Sequence, residues 1–149
     1  MLTRAAVFGT LDVRDNGKNR REFTLQETSY TDEQLYTIMC EAEENGAYVA
    51  LIRGNLCRTL EDFYKEISAA MRFPSYFGWN WAALDDCIRD LEWLRFSSLL
   101  IVIDDFDRIF RRELRPGKYK ELLTKHLNMA VDYWNGASVP ISVYLNRKT

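Results

Sequence analysis

The sequence predicts an α/β fold: a parallel sheet flanked by helices, preceded by a β/α extension. Two observations carry the prediction. Three apolar, β-branched runs recur along the 149 residues, YVALIRG (48–54), SLLIVID (98–104) and PISVYLN (140–146). They show little polar alternation, as expected of strands covered on both faces. Between them the pattern changes to a helical period over stretches long enough to return the chain to the same end of a sheet. The expected order is β-α-α-β-α-α-β around a three-stranded parallel sheet.

The main domain spans residues 47–149, and residues 1–46 stand before it as an extension. There AAVFGTLDV and EFTLQ flank an Asp15-Asn16-Gly17 turn, which reads as a strand or hairpin. A helix follows from about Asp32 to Asn45. The extension either adds strands to the sheet edge or packs as a small subdomain, and both arrangements fit the pattern.

After the first strand of the domain, Leu60, Phe63, Tyr64, Ile67 and Met71 fall at helical spacing. Thr59 stands as their N-cap and Asp62 at the capping-box position. Pro74 ends that helix, because the residue before a proline avoids the helical region. A second helix begins at the N-cap Asn80 with Trp81, Leu84, Ile88 and Leu91 on one face, leaving Asp85, Asp86 and Asp90 on others. Beyond the second strand, FDRIFRREL reads as a short helix ended by Pro116-Gly117. KYKELLTKHLNMAVDYW reads as a long one with Leu122, Leu123, His126, Met129, Ala130 and Tyr133 along its apolar stripe.

Charge narrows the function. The net charge is −2, but its distribution is uneven. Seven acids face two bases between Pro74 and Asp107, and seven bases face two acids between Arg108 and Lys125. Such a division argues against direct nucleic-acid binding, which needs a sustained basic face. Cys40, Cys57 and Cys87 are odd in number and far apart, as free thiols of a reducing compartment are. No targeting segment or membrane span is legible, so a cytoplasmic protein without membrane attachment is expected.

Three stretches invite a chemical reading. IVIDDFDRIF places Asp104, Asp105 and Asp107 at the carboxyl end of a parallel strand, where open α/β sheets bind ligands. Asp105 and Asp107 approach the D-x-D nucleophile signature of haloacid-dehalogenase-type phosphatases, which hold Mg²⁺. Ile109 departs from that signature, and no acidic partner follows a later strand. A solvated loop is therefore the stronger reading. Cys57 or Cys87 with His126, the only histidine, makes a formal nucleophile–base pair, but neither thiol has an activating setting. No phosphate-cradling glycine motif or metal-ligand spacing exists, so no cofactor and no metal are expected.

The third stretch is FPSYFGWNWAALDDCIRDL, from Phe73 to Leu91. A core role explains Trp81. Tyr76, Phe77 and Trp79 precede the helix in a loop, and loops run over surfaces. Gly78 between aromatics reads as a turn needing special backbone freedom or as a point of close approach. Rigid aromatics beside carboxylates suit a protein-binding hot spot that selects a basic partner.

The run Pro74-x-Tyr76-Phe77-Gly78-x-Asn80-x-x-Ala83-Leu84-x-Asp86-Cys87-Ile88 resembles the signature P-x-Y-[YF]-G-x-N-x-[DA]-A-L-x-D-C-[LI] of the barstar family of ribonuclease inhibitors. The resemblance covers about residues 47–147. It implies an inhibitor, not an enzyme, whose acidic helix and aromatic loop plug a cationic nuclease site. The partner-binding set it implies, with the acids and rings above, is Tyr76, Phe77, Gly78, Trp79, Asn80, Trp81, Asp85, Asp86 and Asp90. Asp86 matches the family's dominant contact aspartate. An earlier contact aspartate of the family falls at Ala82 here, and a contact tryptophan falls at Asp85. In the last helix Asp132 is the nearest acid, and Trp134 beside it differs. The expected partner is a ribonuclease-type toxin or another basic protein, with immunity as the role. A regulatory protein-binding module of the same fold and the Mg²⁺-dependent phosphatase at Asp105 and Asp107 are the alternatives.

Overall fold

The computed structural model describes residues 25–148. Its elements are β1 (Leu25–Thr28), α1 (Asp32–Glu44), β2 (Ala47–Arg53), α2 (Leu60–Met71), α3 (Trp81–Asp90), β3 (Ser98–Asp104), α4 (Pro116–Gly136) and β4 (Ile141–Asn146). The AAVFGTLDV strand and the Asp15-Asn16-Gly17 turn lie outside the described residues. The helix expected near Asp32–Asn45 is α1. Thr31 caps it with a reciprocal pair of bonds to Gln34, at 3.1 and 2.9 Å.

All strand pairs are parallel and the order is β1-β4-β3-β2. The α/β class stands as predicted, with one correction: the described sheet has four strands rather than three. The fourth comes from the extension, since Leu25–Thr28 pairs with Val143–Asn146 along an edge of β4 that would otherwise be open.

The apolar runs of β3 and β4 are buried nearly throughout, because the sheet is covered on both faces. Leu99, Ile101, Ile103, Ile141, Val143 and Leu145 point into the larger core, which α2, α3 and α4 close. Leu100, Val102 and Tyr144 point the other way, toward Leu35 and Ala42 of α1. The period-2 geometry of a strand thus divides each run between two cores. β2 lies at the edge and alternates more, with Leu51 and Arg53 exposed.

A buried polar clamp joins the extension to β4. The Asn146 carbonyl oxygen accepts from the Thr28 hydroxyl and the Tyr30 N–H, both at 2.7 Å. Its amide donates to the Tyr30 carbonyl at 3.1 Å and the Asp104 carboxylate at 3.0 Å. Lys148 bridges Asp104 and Asp32. Gly54 is required at the end of β2 for a steric reason. A Cβ there would lie 2.4 Å from the Asp104 carbonyl oxygen and 2.5 Å from that of Asp105.

Two local expectations are corrected. FDRIFRREL is not an α-helix. Only Phe106–Arg108 forms a 3-10 turn, between left-handed residues Asp105 and Phe110. The segment commits its backbone elsewhere, with Phe110 N–H bonding Cys57 O at 2.8 Å and Arg112 N–H bonding Arg58 O at 2.9 Å. Pro116 opens α4 rather than ending a helix, as suits a residue without an N–H. The buried stripe of α4 is Leu123, Leu127, Ala130 and Val131. Met129 and Tyr133 are exposed, so the helix is rotated from the expected face.

Candidate functional site

Tyr64 of α2 supports the loop Phe73–Asn80 from below. Phe77 meets the Tyr64 ring edge-on at 5.7 Å, Trp79 at 6.3 Å and Trp81 at 6.0 Å. Such tilted aromatic contacts favour the quadrupoles of both rings. Tyr64 is itself buried, and desolvation pushes its phenol up to about 12. It belonged to the helical stripe read from sequence, but nothing in the sequence marked it as the platform of the loop.

The structure divides the predicted residues into a surface set and a supporting set. Tyr76, Gly78, Trp79, Asn80, Asp86 and Asp90 are exposed. Phe77 is a correction, because it is buried and packs 4.9 Å from Phe73, anchoring the loop instead of facing solvent. Trp81 is half-buried and stacks on His126 with ring centroids 5.0 Å apart and planes 5° from parallel. Asp85 is also half-buried, its carboxylate 2.7 Å from Nδ1 of His126. Asp85 is therefore tied to α4, whereas Asp86 has an 81% exposed side chain and only a 3.9 Å approach to Arg89.

Backbone freedom is needed one residue away from the expected place. Gly78 does not have a positive φ. Trp79 does, at φ 54°, a conformation that L-residues adopt at some cost. A Cβ at Gly78 would press on Asn80 Nδ2 at 3.3 Å and make ordinary contact with Ala83 Cβ at 3.6 Å. That Asn80 side chain caps α3 by accepting from Ala83 N–H at 2.8 Å, and it donates to the Gly78 carbonyl at 3.1 Å.

α3 is thus fixed at three heights. Asn80 caps its start, His126 holds Asp85 in its middle, and the indole N–H of Trp134 donates to Ile88 O at 2.8 Å near its end. The sequence places His126 on the apolar stripe of its helix and shows Trp134 only as a departure from the family pattern. Their clamping role needs the register of two helices, which no local pattern shows. On the exposed side, desolvation first and the negative charge of Asp90 next raise the Tyr76 phenol above its ordinary value. The ring and the acidic end of α3 therefore belong to one surface.

The other candidate chemistries find different settings. The Asp104 carboxylate is engaged by Asn146, Lys148 and the Asp105 N–H. Asp105 is pushed up by desolvation and then by Asp107, which disfavours the anion a phosphoryl nucleophile requires. Among the described residues no three His, Cys, Asp or Glu side chains form a metal-binding group. Cys57 is fully buried and burial pushes its thiol up to about 12, while Cys87 is raised by desolvation and then by Asp86. Both are held away from the thiolate form. No described helix is long and apolar enough to cross a membrane.

The family model described as Barstar (barnase inhibitor) matches residues 47–146, two thirds of the chain. The chain belongs to the barstar family. The matched region starts at β2 and ends at β4, so it contains the loop, α3 and both clamping residues of α4, and leaves β1 and α1 outside. No curated protein matches the sequence. Among solved structures, one similar chain belongs to the "Structure of Drosophila ORC bound to AT-rich DNA and Cdc6". It shares 12% identity at a TM-score of 0.47, over 99% of this barstar-family chain and 42% of that one. This chain therefore spans less than half the length of that protein, and a likeness so distant bears on neither fold nor function.

Proposed function

We propose that this barstar-family protein is a non-catalytic inhibitor that binds a cationic nuclease of ribonuclease type and closes its active site. The observation that carries the proposal is the position of Asp86. Its side chain is 81% exposed on a helix that is capped and clamped at three heights, beside the exposed rings of Tyr76 and Trp79. A nuclease site is cationic because it holds a polyanion, and rigid carboxylates take the place of substrate phosphates. Pre-organisation lowers the ordering cost of binding, and charge complementarity speeds encounter. In a cell that makes such a nuclease, the complex serves as immunity, and the encounter takes place in the cytoplasm.

Asp85 and Ala82 give the face its own character. With Asp85 turned to His126 and no acid at position 82, the charge offered on α3 is concentrated at Asp86 and Asp90. Trp79 supplies aromatic area from the loop instead of the helix. A partner other than barnase fits this arrangement.

The test is inhibition of a ribonuclease captured with this protein from its native organism, measured by RNA hydrolysis with wild-type protein and Asp86→Ala. The variant is expected to lose more than about 2 kcal/mol of binding, as hot-spot charges do. Equal inhibition by both proteins would remove Asp86 from the site.

A further inference from the structure

We infer that the loop Arg111–Arg115 and the opening turns of α4 form a second docking surface, which takes an acidic peptide segment of a separate protein through one large apolar side chain. The basic block of the sequence, which the acidic face does not explain, is gathered here. A groove of about 370 Å³ is lined by Glu113, Leu114, Arg115, Lys118, Tyr119 and Leu122. Leu114 stands in it 92% exposed, the barest large apolar residue among the described ones.

The charge around the groove is uncompensated. Arg111, Arg112, Arg115 and Lys118 are all exposed. No described carboxylate lies within ion-pair distance of any of them. The one acid in the loop, Glu113, is committed inward, accepting from Leu60 N–H at 2.7 Å at the start of α2. The first turn of α4 carries no acidic residue. Arg115 and Lys118 line an apolar slot, with Arg111 and Arg112 in the same loop and none of the four ion-paired among the described residues; such a setting calls for carboxylates flanking an apolar anchor.

The nature of the occupant follows from what the slot excludes. Residues 1–24 carry Arg4, Arg14, Lys18, Arg20 and Arg21 against Asp12, Asp15 and Glu22, so that segment has the wrong sign. A nucleic-acid backbone would satisfy the cations but leave Leu114 and Leu122 bare. Tyr119 is half-buried and its ring packs against Phe110 at 5.8 Å, so only part of it is open for a base to stack on.

The experiment titrates the full chain with a fluorescent synthetic peptide of aspartates and glutamates around one phenylalanine, followed by anisotropy and by amide chemical shifts. Saturable binding is expected, weakening with salt and shifting the amides of 111–122. It should weaken about tenfold or more when the phenylalanine is replaced by serine, or in Arg115→Glu/Lys118→Glu. Leu114→Ser, at a fully open position, repeats the test should the double variant fold poorly, and Asp86→Ala is expected to bind as wild type. The inference is overturned by the absence of saturation, by equal affinity for the serine peptide, by tighter binding of a single-stranded oligonucleotide, or by self-association of the chain through these same residues.

Discussion

The carboxylate of Asp85 meets Nδ1 of His126 at 2.7 Å across the seam between α3 and α4, beneath a Trp81 ring stacked on the same imidazole. One side chain of α4 thereby positions two residues of the helix that carries Asp86. His126→Ala leaves Asp85 half-buried without its partner and is expected to cost about 1–3 kcal/mol of stability. Asp85→Ala/His126→Ala should lose less than the sum of the two single variants, because the pair acts as a unit. Urea denaturation of the four proteins measures this coupling, and strict additivity would show that the contact does not matter.

Trp79 separates stability from binding. Its left-handed backbone would be relieved by glycine, while its contacts with Tyr64 and Phe77 would be lost. These effects oppose each other, so Trp79→Gly is expected to stay within about 1 kcal/mol of wild-type stability. Its inhibition of the cognate nuclease should fall at least tenfold if the indole is an anchor, by about 1.4 kcal/mol or more. Thermal melts and inhibition assays on the same preparation read the two effects apart.

Residues 25–46 are expected to be indispensable although the family model does not include them. Removing them bares Leu100, Val102 and Tyr144, and deprives Asn146 of three of its four bonds. A fragment of residues 47–148 should show no cooperative transition and should associate in size-exclusion chromatography. In the intact chain, Asn146→Ala is expected to cost about 2–4 kcal/mol, because it orphans buried polar groups.

Alkali should unfold the protein at a defined place. The Cys57 thiol ionises near 9.0 ordinarily and at about 12 in the fold, because burial opposes the thiolate. Tyr64 moves from 10.0 to about 12 for the same reason. Both folded values are raised, so the folded state keeps protons that the unfolded state releases. The stabilisation is complete below pH 9 and is lost as the pH rises toward about 12, from about pH 9 for Cys57 and from about pH 10 for Tyr64. Cys57→Ala should flatten the early part of that decline in a pH series of denaturation curves.

The parallel sheet was legible because β3 and β4 are buried on both faces, and that leaves an unbroken apolar run in the sequence. The α3 cap was legible for a different reason: Asn80 acts within its own turn. What escaped depended on distant partners. FDRIFRREL has helical spacing, but its amides find carbonyls at Cys57 and Arg58, many residues earlier. The stripe of α4 was misplaced because His126 faces α3 rather than the centre of the core, which turns Met129 and Tyr133 outward. Phe77 looked like a surface residue because it sits in a loop, and only Tyr64 beneath it shows that this ring points down. The motif proposes a face from local order alone, and it leaves open which side chains support that face and which meet solvent.

The position of β4 between β1 and β3 also constrains how the protein is born. β2 and β3 can pair while synthesis continues. β1, although made before the other described strands, has no strand to join until residues 141–146 leave the ribosome. β1 must therefore wait for β4, a contact across more than a hundred residues that closes slowly. During that interval the edge of β3 that β4 will fill has no partner strand.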